Sequence, residues 1–220
     1  MDGSINTRQV ASSAALTGIV TATTVMIFEG IRSLLASGPV QAWRRVAYQN
    51  GEYLVAVRGY GEWHNIKEFV QPDDPQVKRL YQEIGPDPWE CYRYVCEKIS
   101  YDHERREFWR WPAETLAGRG DCEDTSILLA SLLRNFTDDA CVVVGKYRGY
   151  GHAWVQAGSL MMETTLSEPI VVDDPENYVP MFVFNDLMAE ELWPGSLEQV
   201  LSARRNDYSK MRLLGHLTNI

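Results

Sequence analysis

The sequence predicts an α+β domain in which one helix packs on an antiparallel sheet, preceded by a β-hairpin and an uncharged arm. Three observations carry this. After Gly118-Arg119-Gly120-Asp121, apolar residues fall at 127, 128, 129, 132 and 133, a spacing that repeats with the helical period. Strand-like runs follow at 140 to 147, 151 to 156 and 160 to 165, and the links between them are so short that sequential strands must be antiparallel neighbours. Upstream, residues 40 to 60 alternate in the strand manner on both sides of Asn50-Gly51, the strongest short-range hairpin signal.

Taken in order, residues 9 to 28 carry no charge, and six of those twenty are Ser or Thr. A bilayer span needs about 20 predominantly apolar residues. The stretch therefore reads as a β-prone arm that packs on a neighbouring subunit or a larger assembly, with a short helix at 29 to 36 behind it. The hairpin, with Trp43, Val46 and Tyr48 before the turn and Tyr53, Val55 and Val57 after it, comes next. Trp63 and His64 fall in a loop, where His64 is structural or solvated. Gln71-Pro72-Asp73-Asp74-Pro75 is a linker or turn with an N-cap for a helical run at 76 to 84, and Gly85-Pro86-Asp87-Pro88 breaks the chain before a second at 89 to 99, which half-buries Trp89, Tyr92, Val95, Cys96 and Ile99. Glu104, Arg105, Arg106 and Glu107 form a solvated loop of mixed charge. The central helix then starts at about Asp121, a favoured N-cap type, with Asp124 three residues on in the capping-box position. A turn at Asp173-Asp174-Pro175 leads into an apolar segment at Tyr178, Met181, Phe182, Val183 and Phe184, which either covers the site or extends the sheet. A last helix is expected from 196 to 216, where His216 is solvated.

The helix start has a chemical consequence. Cys122 falls at the first helical position, where unpaired N–H groups and a partial positive charge lower a free-thiol pKa of about 8.5. Glu123 and Asp124 oppose that effect, so a cationic partner is needed. His152, in the alternating run Gly151-His152-Ala153-Trp154-Val155-Gln156, is a ring that takes a proton near neutral pH. Glu163 ends the next run and can orient it. Taken singly, a cysteine is at home as a small buried hydrophobe and a strand-end Glu as a solvated side chain. The order Cys, His, acid behind a Gly-Asp helix start is what points to thiol chemistry.

Gly120-Asp121-Cys122-Glu123-Asp124, then Gly151-His152-Ala153-Trp154-Val155, then Glu163-Thr164-Thr165 together resemble the transglutaminase-like cysteine peptidase superfamily. Ile99-Ser100-Tyr101-Asp102 and the run from Trp109 to Leu116 resemble the same family's approach to its nucleophile. The likeness covers about residues 75 to 190. It implies a papain-like α+β core with Cys122 as nucleophile, His152 as base and Glu163 as the acid. Many members carry Asp at the third position, so Asp173 and Asp174 stand as alternatives to Glu163. The oxyanion of acyl transfer needs a donor beyond the Cys122 N–H, and Tyr101, Trp109 and Trp111 are the candidates.

The chain has 220 residues, enough for one sizeable core, with 45% hydrophobic and 23% charged residues as in soluble globular proteins. The expected division is an extension of arm and hairpin at 1–70, a catalytic core at 71–195 and a C-terminal helix at 196–220. A net charge of −9 argues against nucleic acid or an anionic membrane as partner. The cysteines at 91, 96, 122 and 141 do not read as disulfides, since the five-residue offset of Cys91 and Cys96 on a helix points them apart. No zinc spacing is present, and no metal or organic cofactor is implied. Reduced thiols suggest an intracellular, cytoplasmic setting, free or within a viral particle.

The chemistry expected is thiol-dependent acyl transfer on peptide or side-chain amides of a protein or peptide substrate, with water as acceptor. Transglutaminase-type crosslinking, with an amine as acceptor, is the alternative within the same chemistry. From another class comes a structural or assembly protein, such as a component of a phage particle, that uses the arm to form homo- or hetero-oligomers.

Overall fold

The computed structural model describes residues 45–59, 61–102 and 107–202. The expected arm, the helix at 29 to 36, Trp43, the loop residues Glu104, Arg105 and Arg106, and the tail with Met211, Leu213, Leu214 and His216 lie outside the described residues.

Strands β1 (Val46–Gln49) and β2 (Glu52–Gly59) form the expected hairpin. Asn50 and Gly51 both have positive φ, 51° and 83°, the geometry whose twist matches that of paired strands. Gly61, at φ 76°, lets the chain fold back again as β3 (Glu62–Asn65), which pairs with β2. Trp63 and His64 are therefore strand residues and not a loop. His64 is tied to Glu62 at 2.9 Å, the structural one of its two expected roles. The short-range pattern hid this because four residues are too few to establish a period.

Helix α1 (Pro75–Ile84) is capped by Asp74, whose carboxylate accepts from the N–H groups of Gln76 and Val77. Helix α2 (Pro88–Lys98) is capped in the same way by Asp87. Each begins on a proline, whose missing N–H costs nothing in a first turn. In α2, Tyr92, Val95 and Cys96 are buried, and so is Ile99 just past the helix end. Trp89, at the helix start, stays 39% exposed, in keeping with the expected partial burial.

Strand β4 (Ser100–Tyr101), helix α3 (Pro112–Thr115) and strand β5 (Arg119–Gly120) lead into helix α4 (Cys122–Leu133). β4 and β5 pair in parallel, Tyr101 opposite Gly120, so the approach segment lies directly beside the start of α4. Every residue of α4 is buried. The helix is packed by β6 (Ala140–Tyr147) and β7 (Tyr150–Ala157), and also by α1, α2 and α3. Its residues are apolar or small nearly all round, as a central helix requires.

Strand β8 (Leu160–Met162) completes the expected meander, but the sheet has five strands and not three. β9 (Tyr178–Phe184) returns alongside β6, and β10 (Ala189–Glu191) lies outside it, giving the order β10-β9-β6-β7-β8. Of the two roles open to the segment after Asp174, extension of the sheet is the one observed. Residues 196 to 202 are helical and bury Leu197, Val200 and Leu201. The hairpin sheet joins the same core. Tyr53 meets Phe182 edge-on at 5.0 Å, the Trp109 backbone N–H donates to the Val57 carbonyl, and Arg58 makes a bidentate contact with Glu114. No helix of the described residues is long and apolar enough to cross a membrane.

Gly145 on β6 marks where that strand slips register against β9. A Cβ there would lie 2.2 Å from the Val179 carbonyl oxygen and 3.1 Å from Pro180 Cα, both backbone atoms that cannot step aside. Gly145→Ala is accordingly expected to destabilise the protein by about 1–3 kcal/mol, the usual range for overpacking. A urea midpoint equal to that of the wild type would show that β9 is not held so closely to β6.

Candidate active site

Cys122 opens α4, Asp121 is its N-cap, and the Asp121 N–H donates to Asp124 Oδ2 at 3.3 Å. The Cys122 thiol is buried and donates to Glu123 Oε2 at 3.2 Å. Asp124 is fully buried and accepts from the Arg110 N–H at 2.7 Å and the Arg110 guanidinium at 2.5 Å. Burial first, and then the Glu123 carboxylate, push Asp124 up to about 7 against the pull of Arg110. Arg110 thus locks the first turn of α4 to the approach segment.

His152 lies on β7 opposite Gly145 and is buried. Its Nε2 meets Glu163 Oε2 at 2.6 Å. Because a carboxylate only accepts, a neutral His152 carries its proton on Nε2 and leaves a lone pair on Nδ1. That Nδ1 is buried and has no hydrogen-bond partner among the described residues.

Glu163 follows β8 directly and is held on every side. Its Oε1 accepts from the Thr165 N–H at 3.0 Å and the Thr165 hydroxyl at 2.6 Å, and its Oε2 also accepts from the Tyr178 hydroxyl at 3.0 Å. Its backbone is clamped by Tyr92, whose hydroxyl donates to the Glu163 carbonyl and accepts from the Glu163 N–H. Burial would raise the Glu163 carboxyl, but the His152 charge and the hydrogen bonds from His152 and Thr165 hold it below the ordinary carboxylate value.

The next residue joins this turn to the cysteine helix. Thr164 Oγ1 lies 2.7 Å from Thr125 Oγ1 and 3.2 Å from Ser126 Oγ, within the turns that follow Cys122. With α4 also packed on β7, the cysteine helix lies against both the strand that carries His152 and the turn that carries Glu163. Neither Asp alternative takes part. Asp174 accepts from Tyr147, Arg148 and Asn177, and Asp173 is exposed. Among the oxyanion candidates, Trp109 commits its indole N–H to Glu107 at 2.9 Å, while the Trp111 ring stacks on Phe69 and faces the Arg58 guanidinium. Tyr101 is 41% exposed and sits beside Gly120, two residues from Cys122.

The other thiols occupy different surroundings. Burial pushes Cys91 and Cys96 up to about 12 and raises Cys141 as well, and none of the three stands at a helix start. Among the described residues, no group of three or more His, Cys, Asp or Glu side chains could hold a metal ion. Reading the sequence alone missed Arg110, Tyr92 and Tyr178. Tyr92 and Tyr178 left a trace only as parts of apolar runs and Arg110 only inside the approach segment, and nothing in such runs marks a hydroxyl or a guanidinium for the site.

Comparison with known proteins bears on the same segment. No curated protein sequence matches at a significant level. Among solved structures, Legionella pneumophila LapG in its EGTA-treated form is 13% identical, covering 64% of this chain and 98% of its own, with a TM-score of 0.41. The calcium-bound form of Legionella pneumophila LapG is 14% identical over 60% of this chain and 98% of its own, with a TM-score of 0.37. Residues 88–165 match the family model of the transglutaminase-like superfamily, a span that contains Cys122, His152 and Glu163. From the start of α2 to Thr165, therefore, this chain is similar to the transglutaminase-like superfamily.

Proposed function

We propose that this protein cleaves peptide or side-chain amides by thiol acyl transfer, with water as the final acceptor. His152 Nδ1 takes the proton of the Cys122 thiol, and the thiolate attacks the amide carbonyl to give a tetrahedral oxyanion. The Cys122 N–H, at the positive end of α4, is one donor to that oxyanion. Collapse breaks the C–N bond, and the amine leaves with the proton now on His152. Water then attacks the thioester, giving its proton to His152, and the acid and free thiol are released. Glu163 holds the Nε2–H throughout and stabilises the imidazolium that forms twice in the cycle.

The observation that carries this reading is the buried His152–Glu163 pair at 2.6 Å with Nδ1 left unpartnered, beside a helix that begins on a cysteine. The superfamily match over the same residues supports it at the level of a peptidase-like thiol chemistry. Its test is iodoacetamide labelling of the intact protein near neutral pH, followed by peptide mass spectrometry. Cys122 is expected to label fastest and Cys91 and Cys96 slowest, because their burial suppresses the thiolate. Labelling of Cys122 no faster than Cys91 would remove the activated nucleophile and the reading with it. With an unstructured peptide mixture as substrate, new amino termini mark hydrolysis of peptide bonds, and ammonia marks attack on side-chain amides.

A further inference from the structure

We propose that Tyr178 is a positioning residue for the His152–Glu163 pair, which rests on the reading just given. Four donors saturate the Glu163 carboxylate, two on each oxygen. Thr165 supplies both for Oε1, while Oε2 is shared by His152 Nε2 and the Tyr178 hydroxyl. A carboxylate filled in this way cannot rotate without breaking a buried hydrogen bond, so the direction in which it presents Oε2 to the imidazole is fixed. Thr165 comes from the same turn as Glu163 and moves with it. Tyr178 comes from elsewhere, and its hydroxyl refers the carboxylate to the rest of the sheet.

The position of Tyr178 is itself over-determined. It sits opposite Tyr147 in the β6–β9 pairing, with ring centroids 4.4 Å apart, and meets Trp154 edge-on at 5.2 Å. Trp154 is two residues from His152 on the same face of β7, and its ring is stacked 6.3 Å from the imidazole. The Tyr178 and Tyr147 rings lie 6.1 Å and 5.9 Å from it. Tyr178 thus reaches the pair twice, through a hydroxyl on the carboxylate and through a ring wall beside the imidazole. It also lies beyond residue 165, where the superfamily match ends. The segment that resembles the superfamily draws a donor for its acid from a strand that the match does not include.

The experiment is a double-mutant cycle on the labelling rate of Cys122 by iodoacetamide near neutral pH, using wild type, Tyr178→Phe, Glu163→Gln and the double variant. Phe keeps the ring against Trp154 and Tyr147, so Tm is expected to fall by only a few degrees, and it is measured alongside. Y178F is expected to slow labelling about two- to tenfold, the worth of one ordinary hydrogen bond. E163Q is expected to slow it more, and Y178F to add nothing in the E163Q background, because the hydroxyl acts only through that carboxylate. An unchanged rate in Y178F, or the same slowing in both backgrounds, overturns the assignment. His152→Ala in the same series separates the two failures. If it leaves the rate unchanged, the thiol acyl-transfer reading fails and Tyr178 with it; if it slows labelling while Y178F does not, only the role of Tyr178 is lost.

Discussion

Replacing His152 by alanine is expected to reduce amide cleavage by about 10²- to 10⁴-fold, the contribution of a positioned acid–base group, and to slow iodoacetamide labelling of Cys122 in parallel. The reason is electrostatic as well as geometric. The Cys122 thiol donates to the buried carboxylate of Glu123, and Asp121 and Asp124 stand on either side. A thiolate there has the helix start in its favour and three carboxyl groups against it, so without an imidazolium the proton stays on sulfur. The variant also removes the partner of Glu163, and that has a signature in pH. In the wild type the Glu163 carboxyl is held below its ordinary value of 4.5, so it contributes stability above that pH which is lost as pH falls. In H152A burial is no longer opposed by the imidazole, the carboxyl rises, and protonation then favours the folded state. The stability difference between wild type and H152A should therefore shrink on acidification. Urea midpoints that stay a constant distance apart at acid and neutral pH would count against a His152–Glu163 ion pair in the fold.

Replacing Arg110 by alanine is expected to cost about 3–5 kcal/mol, as when one partner is removed from a buried ion pair. Asp124 is fully buried, and Arg110 supplies it with both a backbone N–H and a guanidinium. The backbone donor survives the substitution and the guanidinium does not. Asp124 already sits at about 7 because of burial and of Glu123, and losing Arg110 raises it further. A group whose folded pKa lies above its unfolded value contributes stability that is present at low pH and lost as pH rises through the folded pKa. The damage from R110A should thus be smaller at mildly acid pH, where Asp124 takes up a proton, and larger in alkali, where it must stay ionised and buried. Chemical denaturation across that range measures it. A loss independent of pH would show that Arg110 stabilises through packing alone. Because Asp124 also holds the Asp121 N–H, R110A should loosen the start of α4 and slow Cys122 labelling as well.

What could be read locally was read well, for reasons that lie within a few residues. Asn50-Gly51, the aspartates ahead of α1 and α4, and the spacing of 127, 128, 129, 132 and 133 all act over one turn of chain. The misreadings had a physical cause too. Trp63 and His64 belong to a strand only because β2 offers them a partner, and the sheet gained β9 and β10 because β6 was an edge that an apolar segment could cover.

By itself the sequence determined the elements and the chemically capable side chains: a cysteine at a helix start, a histidine in a strand, an acid at a strand end. Only the tertiary structure decided which of them meet. It put Glu163 and not Asp174 against His152, spent the Trp109 N–H on Glu107, and brought in Arg110, Tyr92 and Tyr178, each fixed by contacts made across the fold. The division follows from range. Caps, turns and periodicity are set by neighbours along the chain, whereas a hydrogen bond between residues 163 and 178 exists only once β9 has paired with β6 and closed the intervening loop.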